Sequence, residues 1–246
     1  MQELAGKRAL VTGGSRGIGA AIAIALADKG ADVAITYERS AERAANVVAT
    51  VEGKGSKAIA IQADSGDPDS IQRAVDEAVN ALGGLDILVN NAGIARYNNI
   101  ADFTVDDLDA LLAVNVRGPV LTAKAAIPHL KEGGRIITIG SAGADRIVGT
   151  TGTVYFMTKS ALQSFTRGLA RELGPRDITA NLVQPGSTNT EMNPEDGEFA
   201  DYQRSLTPLG RYGAPEDVAA AVAFLATPAA RQITGAILNV DGGVLT

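Results

Sequence analysis

The sequence predicts an α/β fold: one domain with a doubly wound parallel sheet of seven strands and helices on both faces. Three observations predict it. Short runs rich in β-branched residues alternate with longer amphipathic runs along the whole chain. Several of the short runs are continuously apolar, the pattern of strands covered on both faces. A glycine-rich turn joins the first short run to the first helical one. Strands separated by helix-length segments pair in parallel through right-handed crossovers, so the alternation indicates the sheet type as well as the class.

In order, the expected strands are RALVT (8–12), DVAIT (32–36), KAIAIQ (57–62), DILVN (86–90), RIITI (135–139), ITANLV (178–183) and AILNV (236–240). Valine, isoleucine and threonine crowd a helical turn but pack well on a pleated surface. GIGAAIAIALADKG follows the first strand and SIQRAVDEAVNAL the third, both in helical pattern. Longer helices are expected at about 105–130 and 152–173. The 246 residues hold no proline-, serine- or charge-rich linker, no internal repeat and no low-complexity tract, which argues for a single domain. Such doubly wound, Rossmann-type sheets bind ligands beyond the carboxyl ends of their strands, and the chemistry is sought there.

Composition excludes several classes. With no cysteine there are no disulfides, thiolate zinc sites or cysteine nucleophiles. The one histidine, His129 in AAIPHL, excludes a site that needs two. No G-x-S-x-G elbow accompanies it, and it is read as structural. The 22 basic and 28 acidic residues are interspersed, for a net charge of −6, which argues against nucleic acid or an anionic membrane as partner. No apolar run is long enough to span a bilayer and no secretory leader pattern is present, so a cytoplasmic protein is expected.

TGGSRGIG follows the first strand and opens a helix. Glycines at such a turn let the backbone approach a pyrophosphate, and free N–H groups at the positive helix end point towards it. The spacing, G-x-x-x-G-x-G through Gly13, Gly17 and Gly19, differs from the G-x-G-x-x-G fingerprint. Position in the first strand–helix unit therefore carries the expectation that Gly13, Ser15, Arg16, Gly17, Ile18 and Gly19 hold a dinucleotide, with a plain connector as the alternative. The end of the second strand, ITYERS, should supply the group beside the adenosine ribose. Glu38 suits a free 2′-hydroxyl and hence NAD(H); Arg16 and Arg39 suit a 2′-phosphate. Tyr37 stands where an NAD enzyme would carry its acid, so the balance favours NADP(H), with NAD(H) open. Asp64, closing the third strand, can cap the adenine amino group or serve as a turn aspartate.

With NNAG (90–93), Asn115 in NV, Ser141, the Y-x-x-x-K of Tyr155 and Lys159, QPG (184–186) and a terminal VDGG, the chain resembles the short-chain dehydrogenase/reductase superfamily over essentially its whole length. The likeness is closest to reductases of the 3-oxoacyl-(acyl-carrier-protein) type. GGRIITIGS, DR (145–146), TKSALQSFTRGLARELGPRDIT and QPGSTNTEMNP also resemble a subgroup that includes a bacterial cyclic-di-GMP-binding biofilm dispersal mediator. Ser141 precedes Tyr155 by fourteen residues where many members have thirteen, which reads as one inserted loop residue.

Reducing a ketone needs a hydride at carbon and a proton at the developing alkoxide, and a free tyrosine, pKa ~10, is poorly matched to neutral pH. Tyr155 and Lys159 stand one helical turn apart and can converge, while Met157, Ala161 and Phe165 take another face that can pack inward. The ammonium, with the positive nicotinamide ring of an oxidised cofactor nearby, would lower the phenol's pKa. An isolated Y-x-x-x-K usually means only an amphipathic helix with a snorkelling lysine. Ser141, just past the fifth strand, can hold the substrate oxygen.

The resemblance implies that Tyr155 is the general acid in reduction and base in oxidation, that Lys159 also bonds the nicotinamide ribose, and that the pro-S hydride is transferred. It implies that Asn115 breaks its helix locally and holds a water relaying protons to Lys159. By the same likeness the backbone of Asn91, Ala92 and Gly93 lines the cofactor ribose, while Pro185, Gly186 and Thr190 meet the nicotinamide carboxamide. The polar stretch of about 191–213 reads as a lid over a small-molecule carbonyl or alcohol substrate, with Ile94, Arg146, Val148 and Phe199 as candidate pocket residues. Family members usually form tetramers through the two long helices and the last strand region, so a homotetramer is expected. Two functions compete: an NADP(H)-dependent carbonyl reductase acting on a ketone or β-keto ester, reversible as an alcohol dehydrogenase, and a cyclic-dinucleotide-binding regulatory protein on the same fold.

Overall fold

The computed structural model describes residues 2–147 and 149–246. All seven expected strands form: β1 (Arg8–Val11), β2 (Asp32–Tyr37), β3 (Ala58–Gln62), β4 (Ile87–Asn90), β5 (Arg135–Ile139), β6 (Thr179–Pro185) and β7 (Ile237–Val240). They make one sheet in the order β3-β2-β1-β4-β5-β6-β7, every pair parallel. The chain winds outward from β1 to β3, then crosses back to β4 and winds the other way. Neighbouring connections leave the sheet in opposite directions between β1 and β4, which opens a crevice at their carboxyl ends.

The helices are α1 (Gly17–Asp28), α2 (Ala41–Glu52), α3 (Pro68–Leu82), α4 (Val105–Leu112), α5 (Gly118–Ala126), α6 (Thr153–Leu173), α7 (Ala200–Ser205) and α8 (Pro215–Ala226). The strands read as continuous apolar runs because both faces are buried, yet their side chains still alternate. Val11, Val33, Ile35, Val89 and Ile137 join Ile22 and Leu26 of α1 and Val222 of α8 in one core. Leu10, Ala34, Leu88 and Ile136 join Ala78 of α3, Ala126 of α5 and Leu169 of α6 in the other. Local chemistry sets the helix ends. Asp67 accepts from the Ser70 N–H at 2.9 Å, Pro68 opens α3, and Gly83 closes it in the left-handed region at φ 77°.

The helix expected at about 105–130 is two helices, α4 and α5, joined by a π-helical turn at Ala113–Arg117 centred on Asn115, and it ends at Ala126, two residues before Pro128. His129 lies in the turn that leads back to the amino edge of the sheet, away from the crevice. Among the described residues no helix is long and apolar enough to cross a membrane.

Leu88, fully buried in central strand β4, reports on this packing directly. Leu88→Ala should lower stability by about 2–5 kcal/mol in denaturant melts, whereas an unchanged midpoint would contradict its place in the core.

Candidate active site

The crevice is floored by the loop that leaves β1. The Gly13 N–H donates to Thr36 Oγ1 at 3.0 Å and the Gly14 N–H to the Thr36 carbonyl at 2.8 Å, which ties the loop to β2. On the other side Asn91 Nδ2 donates to the carbonyls of Thr12 and Gly13 at 2.9 and 3.1 Å, and Thr12 Oγ1 accepts from the N–H groups of Asn91 and Ala92 at 3.0 Å each. Gly13 and Gly17 hold φ of 64° and 51°, where a Cβ is strained. A side chain on Gly19 would run into the Asn91 amide and the Gly13 carbonyl. The result is a bare backbone cradle at the N-terminus of α1, with Ser15 and Ile18 in it; Ile18 also packs on the core. Such a cradle fits a dinucleotide pyrophosphate.

The adenosine end differs in detail from expectation. Tyr37 ends β2 and packs partly into the core. Arg39, read as a phosphate ligand, pairs with Glu38 at 2.9 Å, both exposed. Arg16 bonds Glu191 at 2.6 Å, and Arg43 from the first turn of α2 binds the same carboxylate. Sequence reasoning does not find Arg43, whose only signal is a cation placed just after the second strand. Asp64 Oδ1 accepts from the Gly66 N–H at 2.7 Å, so the aspartate serves as a turn residue with its second oxygen left over.

Ser141 follows β5 and caps a short 3-10 turn, its Oγ accepting from the Gly143 N–H at 3.2 Å. The loop carrying it is clamped from two sides. Ser160 Oγ donates to the Ala144 carbonyl at 2.9 Å, and the Asp145 carboxylate accepts from Gln163 of α6 and Gln184 of β6, each at 2.7 Å. The Phe156 ring lies against Gly143 and Gly152, where any Cβ would collide with it. From this loop the Ser141 hydroxyl draws the Tyr155 phenol down against its burial. Arg146 donates to the Val244 carbonyl at 2.8 Å, which turns it towards the C-terminal segment.

Tyr155 and Lys159 do converge. The Lys159 Nζ lies 5.9 Å from the Tyr155 ring centroid and donates to the carbonyl of Ile139, the last residue of β5, at 3.2 Å. The expected lowering of the phenol by the lysine is not what the chain's own groups produce. Burial raises Tyr155 well above the usual tyrosine value, Tyr97 raises it further, and only Ser141 pulls it down. Burial likewise pushes Lys159 down to about 8. Desolvation disfavours the charged form of each and is the largest cause of both shifts. Tyr97 stacks at 5.5 Å from Tyr155, with a tilt of 58° between the rings. It comes from an aperiodic loop, and only the tertiary fold reveals its place.

The face of α6 turned to the protein is Val154, Thr158, Leu162, Thr166 and Leu169 together with Lys159. Met157 and Ala161, expected to pack inward, are exposed, and Phe165 is half-buried. The reason is the convergence itself: turning Lys159 towards β5 rotates Met157 outward by the helical period.

Asn115 is completely buried. Its Oδ1 accepts from the Ile94 N–H at 2.9 Å, and its Nδ2 donates to the Ile94 carbonyl at 2.9 Å and to Thr158 Oγ1 at 3.1 Å. Thr158 in turn donates to the Tyr155 carbonyl at 2.6 Å. The expected helix break is a π-turn, and both amide N–H groups are engaged by protein. Gly93 sits against the Lys159 Nζ and the Asn115 amide.

Pro185 ends β6, and Gly186 passes so close to the Asp241 backbone that no side chain fits. Thr190 rests on Gly17 and pairs with Asn193. Backbone bonds of Ser187 and Asn189 with Gly213, each 2.9 Å, close the neck of the 191–213 segment. Within it α7, not foreseen from the sequence, is tied down through Gln203 to Ser187 at 2.6 Å and Asn193 at 2.9 and 3.0 Å. Phe199 and Tyr202 on this segment are exposed, and Val148 lies outside the described residues. Among the described residues no cluster of side chains is suited to a metal ion.

A bare phosphate cradle beside a phenol, a hydroxyl and a buried amine defines an oxidoreductase of the dinucleotide-binding class. Residues 13–245 match the family model described as enoyl-(acyl carrier protein) reductase. A versicolorin reductase from Emericella nidulans is 45% identical, over 98% of this chain and 96% of the relative. The cyclic-di-GMP-binding biofilm dispersal mediator protein of Escherichia coli is 43% identical over 98% of each. A solved short chain dehydrogenase from Burkholderia cenocepacia, in complex with NADP, is 57% identical with a TM-score of 0.98, over 99% of this chain and all of that one. The chain belongs to the short-chain dehydrogenase/reductase superfamily.

The depressed Lys159 has a measurable signature. Between about pH 8 and 10.5 the unfolded chain holds a proton that the fold has released, so this group's contribution to stability rises with pH across that window, and its full burial cost is present below about 8. The stability gap between the native protein and Lys159→Met should therefore change through that window in denaturant melts. A gap independent of pH would place the lysine pKa at its ordinary value.

Proposed function

We propose that the protein is an NADP(H)-dependent carbonyl reductase, reversible as an alcohol dehydrogenase, acting on a ketone or β-keto ester in the cytoplasm as a homotetramer. The observation that carries this reading is the convergence of Ser141, Tyr155 and Lys159 at the carboxyl end of β5, beside a glycine cradle on β1. Gly13, Ser15, Gly17, Ile18 and Gly19 would hold the pyrophosphate, Arg16 and Arg39 the 2′-phosphate, Tyr37 and Asp64 the adenosine, Asn91, Ala92, Gly93 and Lys159 the nicotinamide ribose, and Pro185, Gly186 and Thr190 the carboxamide. NADPH, when bound, supplies the hydride.

Ser141 donates a hydrogen bond to the substrate carbonyl oxygen and steadies the charge that develops there. Tyr155, which burial keeps protonated, gives its proton to the same oxygen. Lys159 offsets the phenolate left behind, and Asn115 fixes the helix turn that presents both residues. In the oxidative direction the phenolate must form first, so oxidation is favoured by higher pH. Tyr97 over Tyr155, with Phe199 and Tyr202 on the 191–213 lid, suits a substrate with an apolar or aromatic substituent. Exposed Val105, Val120 and Met157 on α4, α5 and α6 support assembly through those helices.

The name of the E. coli relative favours a second reading, a cyclic-dinucleotide-binding regulator with little turnover. The intact set of catalytic side chains favours the enzyme. Initial rates of NADPH and NADH oxidation with aryl ketones, β-keto esters and diketones separate the two. Turnover with NADPH is expected, with a kcat about 10²–10⁴-fold lower in Tyr155→Phe. Cyclic-di-GMP binding without turnover on any ketone would replace the first reading with the second.

A further inference from the structure

Two of the arginines that face the adenosine end of the crevice are already engaged, and by one acid. Glu191 directly follows Thr190, whose side chain rests on Gly17 of the phosphate loop. From there its carboxylate reaches sideways: Oε2 accepts from Arg16 at 2.6 Å and Oε1 from Arg43. The partners lie 175 and 148 residues away in the chain and come from two elements, the α1 N-terminus and the first turn of α2. Arg39, the remaining cation beside β2, is held by Glu38 at 2.9 Å.

We infer that Glu191 is a specificity-determining residue for the cofactor: its carboxylate competes with the adenosine 2′-phosphate for Arg16 and Arg43 and so holds down the preference for NADP(H) over NAD(H). The inference rests on the NADP(H) reading above. Its physical basis is that a carboxylate and a phosphate ester satisfy guanidinium groups in the same way, through paired charged hydrogen bonds, and the same donors cannot serve both in full. Two arginines and one glutamate leave the cluster with one net positive charge; glutamine in place of Glu191 leaves two. A 2′-phosphate responds to that difference, whereas a 2′-hydroxyl carries no charge to respond with. The arginines also hold Glu191 below the usual carboxylate range, so the competitor stays ionised at neutral pH.

A clasp that merely tied the lid to the phosphate loop would affect both cofactors alike, and the test uses that contrast. The full chain and its E191Q variant are titrated by calorimetry with NADPH, NADH, 2′,5′-ADP and 5′-AMP at low ionic strength. Exposed ion pairs contribute weakly, so E191Q should bind NADPH and 2′,5′-ADP about three- to tenfold more tightly while NADH and 5′-AMP move by less than about twofold. Equal shifts for NADPH and NADH, no shift, or weaker NADPH binding would overturn the inference while leaving the cofactor assignment standing. A native protein that binds 2′,5′-ADP no better than 5′-AMP would overturn the NADP(H) reading itself, and the competition with it.

Discussion

One buried amide holds the working edge of the sheet together. Asn115 bonds both polar groups of the Ile94 peptide and the Thr158 hydroxyl, and so joins the loop after β4, the π-turn between α4 and α5, and the turn of α6 that carries Tyr155. Asn115 and Thr158 are buried, and a polar group left unmet there would cost about 1–3 kcal/mol. Three backbone and side-chain groups thus depend on one residue in one rotamer. The π-turn is the adjustment that lets a helix present it, and Gly93 leaves the space that brings Lys159 alongside.

The same exclusion of water sets the acid–base character of the site. Burial raises the phenol and lowers the amine, so the resting pair is biased towards its uncharged forms. That bias suits proton donation. In the proposed reduction, a phenol that holds its proton at neutral pH gives it to an oxygen gaining charge, and a hydroxyl beside it shares that charge as it develops. Lys159 remains close enough to answer the phenolate once it exists, and its own bond to the Ile139 carbonyl keeps it aimed.

The sheet was legible from the sequence because doubly buried strands separated by helices leave few alternatives, and all seven lie within two residues of their expected ends. The glycine loop and the Y-x-x-x-K pair were legible because backbone clearance and helical period leave local marks. What escaped the sequence depends on tertiary direction. The exposed face of α6 follows from which way Lys159 must point, which helical period and apolarity do not reveal, so Met157 was expected inward. Tyr97, Arg43 and Glu191 meet their partners across long stretches of chain and show no periodicity. α7 is six residues long and owes its place to the Gln203 side chain rather than to helical propensity. The DR pair at 145–146 marked a resemblance and a candidate pocket residue, but the role of Asp145 in binding α6 to β6 beside the serine left no mark in the sequence.

The central claim is that this edge transfers a hydride to a carbonyl carbon, and isotopic labelling tests it most directly. The protein is incubated with a ketone that it turns over and with NADPH carrying deuterium at the pro-S position of C4, and the alcohol is examined by mass spectrometry and NMR. The expected result is one deuterium on the carbinol carbon, with none left on the oxidised cofactor. Deuterium retained on the cofactor while an unlabelled alcohol forms would contradict the orientation read from the family. Loss of deuterium to water would contradict hydride transfer itself.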